Sequence, residues 1–181
     1  MKQITVIGGG PAGVSAALYT LGAGFPTRIL YRDEGALARA EIKNFYGFPG
    51  GIAGRELFSR GLAAAEGLGA ELIRAEVTAV AFDGEGYSVF ANGKEYLTDG
   101  LILATGAERR LPPIAGAERL LGLGVSTCAV CDSFAARGKR VAVVGAGEYA
   151  LHEAAVLSGV AEEVLLLTNG QSAPAGCPYP F

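Results

Sequence analysis

The 181-residue sequence has little that would suit it to a nucleic acid or a membrane. Its 15 Lys and Arg are outnumbered by 18 Asp and Glu, and the basic residues gather into no stripe that could neutralise a row of phosphates. With a net charge of -3 and a pI near 5.2, a nucleic-acid partner is not expected. No apolar run approaches the roughly 20 residues that a bilayer-spanning helix needs. Lys2 and Gln3 lead straight into a strand-like run, without the apolar core of a secretory leader. A soluble, cytoplasmic protein is expected, with no membrane partner. A single histidine and three cysteines leave few ligands for a structural metal. Glycine, at 28 residues, is abundant but has no fixed period, which excludes a collagen-like chain. It clusters where apolar runs give way to helical ones, and that is the punctuation of an α/β fold.

Half of the residues are hydrophobic, enough for a core. Residues 3–7 read as a buried strand, 11–21 as an Ala- and Leu-rich helix and 27–31 as a second, parallel strand, which together make one βαβ unit. Residues 54–68 carry Leu57, Phe58, Leu62 and Ala65 near the helical period, with Arg55, Glu56, Arg60 and Glu66 left for the wet face. A short strand at 71–73 is expected to feed a small antiparallel layer of 77–82, 87–91 and 94–97, punctuated by Asp83-Gly84 and Asn92-Gly93. A buried strand returns at 101–104 and stops at Thr105-Gly106. Leu111-Pro112-Pro113 marks the expected boundary between a domain of residues 1–113 and one of residues 114–181. Beyond it, strand 140–144, helix 148–157 and strand 164–167 repeat the opening βαβ pattern, and the proline-bearing tail 170–181 should be irregular.

Gly8-Gly9-Gly10-Pro11-Ala12-Gly13 places Gly-x-Gly-x-x-Gly between a strand and a helix, the setting in which the pattern binds a dinucleotide. Gly8 allows the tight turn, Gly10 admits a pyrophosphate to the backbone, and Gly13 lets helix and strand approach. The helix N-terminus then offers N–H groups and a positive dipole end to the phosphates. An acid about 20 residues further on should hold the adenosine ribose. Asp33 and Glu34 lie just past the second strand, where surface acids in a turn are an equally good reading. A second loop, Gly145-Ala146-Gly147-Glu148-Tyr149-Ala150, has the Gly-x-Gly-x-x-Ala form usual for nicotinamide dinucleotides, on Gly145, Gly147 and Ala150. The segment after its second strand is Thr168-Asn169-Gly170-Gln171, with neither the arginine of an NADP site nor the acid of an NAD site. A nicotinamide site and a retained scaffold turn are both open there.

Cys128-Ala129-Val130-Cys131 brings two thiols to a spacing at which they can close on each other, and a short helical stretch is expected after Asp132. Such a pair can cycle between dithiol and disulfide, a helix N-terminus favours the thiolate, and Asp132 can exchange a proton beside it. Zinc is the rival reading, but it would need Cys177 and His152 as further ligands, so no metal is expected.

Taken in order, Gly8-x-Gly10-Pro11-Ala12-Gly13, Ala104-Thr105-Gly106, Cys128-Ala129-Val130-Cys131-Asp132, Arg137-Gly138-Lys139 and Gly145-x-Gly147-x-x-Ala150 resemble the bacterial low-molecular-weight thioredoxin reductases, over residues 1 to about 169. Asn44-Phe45-Tyr46-Gly47-Phe48-Pro49 and Gly145-Ala146-Gly147-Glu148-Tyr149-Ala150-Leu151-His152-Glu153 are similar to a divergent branch of that family. The resemblance implies an α/β fold in which a Rossmann-like FAD-binding domain is followed by an incomplete second Rossmann-like domain. It implies FAD on Gly8, Gly10, Pro11 and Ala12, with Glu34, Asn44, Thr105 and Gly106 near the cofactor and the Val77 backbone near adenine. It further implies that Cys131 faces the flavin, that Cys128 is the interchange thiol, and that Asp132 is the acid/base.

The partner so implied is thioredoxin or a similar small disulfide protein, and the protein would be a homodimer. Some relatives in that branch draw electrons from ferredoxin, and the missing basic cluster after Leu167 is compatible with that donor as well as with NADPH. The family's chain is far longer, with a returning segment that completes the FAD site, so this sequence is expected to be a truncated form. A dithiol oxidase of the same fold and a catalytically silent fragment are the alternatives to a reductase.

Overall fold

Ile4–Ile7 (β1) is a short aliphatic strand buried on both faces, as the middle of a parallel sheet requires. In this computed structural model, which describes residues 2–107 and 111–181, the chain divides into two compact units, Met1–Arg109 and Arg110–Phe181.

In the first unit Pro11–Gly22 (α1) carries the chain from β1 to Thr27–Tyr31 (β2). Two-residue strands Glu41–Ile42 (β3) and Ile52–Ala53 (β4) pair as an antiparallel ladder before Gly54–Gly67 (α2). Glu71–Arg74 (β5), a meander of Val77–Phe82 (β6), Tyr87–Ala91 (β7) and Lys94–Thr98 (β8), and Gly100–Leu103 (β9) complete the unit. The main sheet is parallel with strand order β5-β2-β1-β9, so β1 lies between the strand that follows it and the strand that ends the unit.

Alternation along β1 and β2 sorts the core into two layers. Val6 and Ile29 point to one face and pack with Ala17 of α1 and Ala65 of α2. Ile7 and Leu30 point to the other and pack with Val89 of the meander. Val14, Phe58 and Leu62 join the two helices, so the helical period read from residues 57–65 is the buried face of α2. Burying side chains such as Ile29 and Leu30 contributes about 1.5–3 kcal/mol each. Asn92 and Gly93 both take positive φ, the two-residue hairpin turn that this dipeptide predicts.

The second unit holds Ala129–Ala136 (α3), then Arg140–Val144 (β10), Glu148–Ser158 (α4) and Glu163–Leu167 (β11). β10 and β11 pair in parallel, with Ala150, Ala154, Val164 and Leu166 buried between helix and strands. The tail is irregular, as its prolines predict, yet it is tied down: the Leu166 N–H donates to the Pro180 carbonyl at 2.8 Å. The structure departs from the sequence reading at α3, which begins at Ala129 and so contains Cys131 and Asp132 instead of following them. Its start is set by Cys128, whose extended backbone and sulfur atom cap the first turn.

Candidate functional site

In the first unit the glycine loop joins the C-terminal end of β1 to α1. The Gly8 N–H donates to the Leu30 carbonyl at 2.8 Å, which holds the loop across the end of β2. Gly8 has a φ of +118°, and a Cβ there would collide with the Ala104 carbonyl and lie 3.3 Å from the Thr105 amide nitrogen. A Cβ on Gly13 would collide with the Gly8 carbonyl, and one on Gly9 would lie 2.8 Å from the Tyr31 Cβ. The protein's own packing therefore accounts for Gly8, Gly9 and Gly13. Gly10 is different: a Cβ there would meet nothing within 4 Å. It is the N-cap of α1, offers no side-chain cap, precedes Pro11 at the first helical position, and is followed by no acid in the first turn. The positive end of this helix is open to an exogenous anion, as the pyrophosphate role expected of Gly10, Pro11 and Ala12 from the sequence would require.

The neighbouring positions are sorted by what they already bind. Asp33 serves its own turn, accepting the Gly35 N–H at 2.8 Å and the Arg32 Nε at 2.9 Å. The Gly35 N–H first, and then the Arg32 guanidinium, hold the Asp33 carboxyl below the usual carboxylate range. Glu34 is half-buried and its side chain has no hydrogen bond or ion pair among the described residues, which leaves it the freer acid of the two. Thr105 and Gly106 follow β9, and Thr105 is the predicted residue that the fold brings directly against Gly8. Val77 opens β6 and packs with Ile7, Leu30 and Val89 just beyond the end of β5. Asn44 lies exposed in the loop between β3 and β4, and no described contact joins it to the glycine loop.

In the second unit Cys128 and Cys131 form a disulfide with Cα atoms 5.3 Å apart. The Cys128 sulfur accepts the Cys131 N–H at 3.2 Å; Cys128 is half-buried and Cys131 exposed. Ser126, which the sequence reading passed over, accepts the Cys128 N–H at 3.0 Å and donates to the Asp132 carboxylate at 2.5 Å. Glu153, to which the sequence motif assigns no role, reaches from α4 to accept the Ala129 N–H at 2.8 Å. The Ser-x-Cys spacing could have flagged Ser126, since a hydroxyl there can bond the backbone two residues on. Nothing local could have flagged Glu153.

The second glycine loop reproduces the backbone of the first. The Gly145 N–H donates to the Leu167 carbonyl at 3.0 Å, Gly145 has a φ of +153°, and a Cβ on it would lie 2.8 Å from the Ala150 Cβ. Gly147 caps α4 with open space around it. The difference is Glu148, an acid in the first turn of α4 at the end where a phosphate would bind. Among the described residues no three of His, Cys, Asp and Glu gather as metal ligands, and no helix is long and apolar enough to cross a membrane.

Comparison with known proteins gives these observations a context. The chain is 38% identical over 177 residues to a thioredoxin reductase of Aquifex aeolicus, covering 96% of the chain and 55% of that protein. It is 36% identical over 169 residues to a glucosaminate ammonia-lyase of Pseudomonas fluorescens, covering 92% of the chain and 53% of that protein. A crystal structure of thioredoxin reductase from Streptococcus pyogenes superposes with a TM-score of 0.84 at 31% identity, over 94% of this chain and 56% of that one. The chain thus spans about half the length of the relatives it matches. The profile of the pyridine nucleotide-disulphide oxidoreductases matches residues 2–174, nearly the whole sequence, and the chain belongs to that family.

Proposed function

We propose that the protein is an FAD-dependent thioredoxin-disulfide reductase that works through Cys128 and Cys131. FAD is the cofactor of this family and fold, and the open helix end at Gly10, Pro11 and Ala12 fits its pyrophosphate. Glu34 would hold the adenosine ribose, with Thr105 and Gly106 beside the loop. Bound FAD would supply the electron pair that opens the disulfide. The chain's own residues do the rest. The Cys128 thiolate attacks one sulfur of the partner's disulfide, forming a mixed disulfide and expelling the partner's other sulfur as a thiolate. Cys131 then attacks the Cys128 sulfur, releases the second partner thiol and restores the internal disulfide, so that two electrons have passed to the partner. Asp132 takes and returns the proton beside the pair. No charged side chain follows β11 in Thr168-Asn169-Gly170-Gln171 to grip the 2′-phosphate of NADPH. Cytoplasmic location accords with this dithiol chemistry.

The observation that carries the reading is the hydrogen bond from the Cys131 N–H to the Cys128 sulfur at a helix N-terminus, where a Cys128 thiolate is favoured after the disulfide opens. Its test is capture. Reduced Cys131→Ser protein, mixed with oxidised thioredoxin, should give a mixed disulfide visible in the intact mass, and Cys128→Ser should not. Capture by Cys128→Ser alone would reverse the two thiols, and capture by neither would sink the thioredoxin assignment. Peroxide released from dithiols without an added donor would instead identify an oxidase.

A further inference from the structure

We infer that Glu153 is a positioning residue that tunes the reducing power of the Cys128–Cys131 pair, by setting a negative charge against the N-terminus of the helix that carries it. This rests on the redox reading above. A helix N-terminus lowers the energy of a nearby thiolate, because its N–H groups and dipole present partial positive charge. In α3 that end is contested. One orphan donor, the Cys131 N–H, goes to the Cys128 sulfur, while the Ala129 N–H goes to the Glu153 carboxylate at 2.8 Å. Asp132 adds a second carboxylate in the same turn, directed to Ser126. A cap on α3 alone could have been a neutral serine or asparagine from its own chain segment. It is instead an acid from α4, part-buried and 24 residues away in sequence, bound at the helix end where an acid opposes thiolate formation.

The consequence for the couple has a definite sign. Opening the disulfide adds two electrons and two protons and yields a dithiol, one sulfur of which gains thiolate character at the helix end. A carboxylate there raises the energy of that reduced state, so the disulfide is favoured and the dithiol is the stronger reductant. Glu153→Gln keeps an oxygen to accept the Ala129 N–H and removes the charge. The reduced state should gain, making the pair more oxidising.

The experiment equilibrates the full chain and its variants with reduced and oxidised glutathione and counts free Cys128 and Cys131 thiols by mass after alkylation. Glu153→Gln should shift the exchange constant toward dithiol by roughly three- to tenfold, the upper figure being about 30 mV for a two-electron couple. The same variant, once reduced, should alkylate faster at neutral pH. An unchanged constant, or a shift toward disulfide, overturns the proposal. A shift in Glu153→Ala with none in Glu153→Gln also overturns it, because the carboxylate would then act only as a cap. If the parent pair does not exchange with glutathione at all, the redox reading itself fails, which is distinguishable from failure of the Glu153 proposal in a pair that does exchange.

Discussion

The α-carbon of Gly8 and the carbonyl of Ala104 approach so closely that hydrogen is the only substituent the loop can carry there, and the backbone is held at a φ of +118° as well. This ties the end of β1 to the end of β9. Gly8→Ala should destabilise the first unit by about 2–4 kcal/mol, from steric conflict added to left-handed strain. Urea unfolding followed by far-ultraviolet circular dichroism measures this, and a loss below about 0.5 kcal/mol would refute the packing argument.

Gly10→Ala separates cofactor binding from folding. A methyl at Gly10 meets no protein atom within 4 Å and the backbone there is in an ordinary extended region, so stability should change by no more than about 0.5 kcal/mol. A pyrophosphate lying on the helix end would meet that methyl directly. FAD affinity, read by quenching of flavin fluorescence on titration, should fall at least about tenfold. Equal binding by parent and variant would move the pyrophosphate away from Gly10.

The contrast between Gly10 and Glu153 shows what the sequence could reveal. The glycine loop, both βαβ patterns and the Asn92-Gly93 hairpin turn were legible because each depends on residues adjacent in the chain and on a local period. The start of α3 was not, since a cysteine sulfur in place of a hydroxyl is a weak capping signal and an eight-residue helix has barely two turns of pattern. The β3–β4 ladder was missed for a similar reason, as two-residue strands carry no alternation. Of two adjacent acids, only structure shows that Asp33 is spent on its own turn and Glu34 is not. Glu153 meets Ala129 solely because α4 packs beside α3, and no spacing encodes that.

Asp33 makes the turn after β2 sensitive to acid. Its carboxyl lies below its ordinary value in the folded state, so it contributes stability that is fully present above the unfolded value, near pH 4, and is lost as pH falls through the folded value. Asp33→Asn should flatten the acid limb of the stability profile below about pH 4, while leaving the profile above about pH 5 parallel to the parent's. Thermal melts across this range test it, and a variant whose acid limb matches the parent's would remove Asp33 from the account. The effect should be small, because the group is exposed and solvent screens it.

Ser126 and Asp132 should act as one unit. Ser126 accepts the Cys128 N–H and donates to Asp132, with the Cys128 carbonyl a longer second acceptor at 3.2 Å, so Ser126→Ala leaves both the cap of the cysteine loop and the orientation of the carboxylate unsupported. The loss in folding stability should be about 1 kcal/mol. In the oxidation of the reduced pair by a protein disulfide, Asp132→Asn should slow the reaction by about 100-fold if the carboxylate moves the proton, and Ser126→Ala by several-fold because that carboxylate is no longer aimed. Once Asp132 is gone, removing Ser126 should cost little more, so the double variant should be faster than the product of the single effects predicts. A coupling of about 0.5–1 kcal/mol in this double-mutant cycle, close to the whole Ser126→Ala effect, fits a shared hydrogen bond. Strict additivity would mean that Ser126 only shapes the loop, and Asp132 would then have to find its orientation elsewhere.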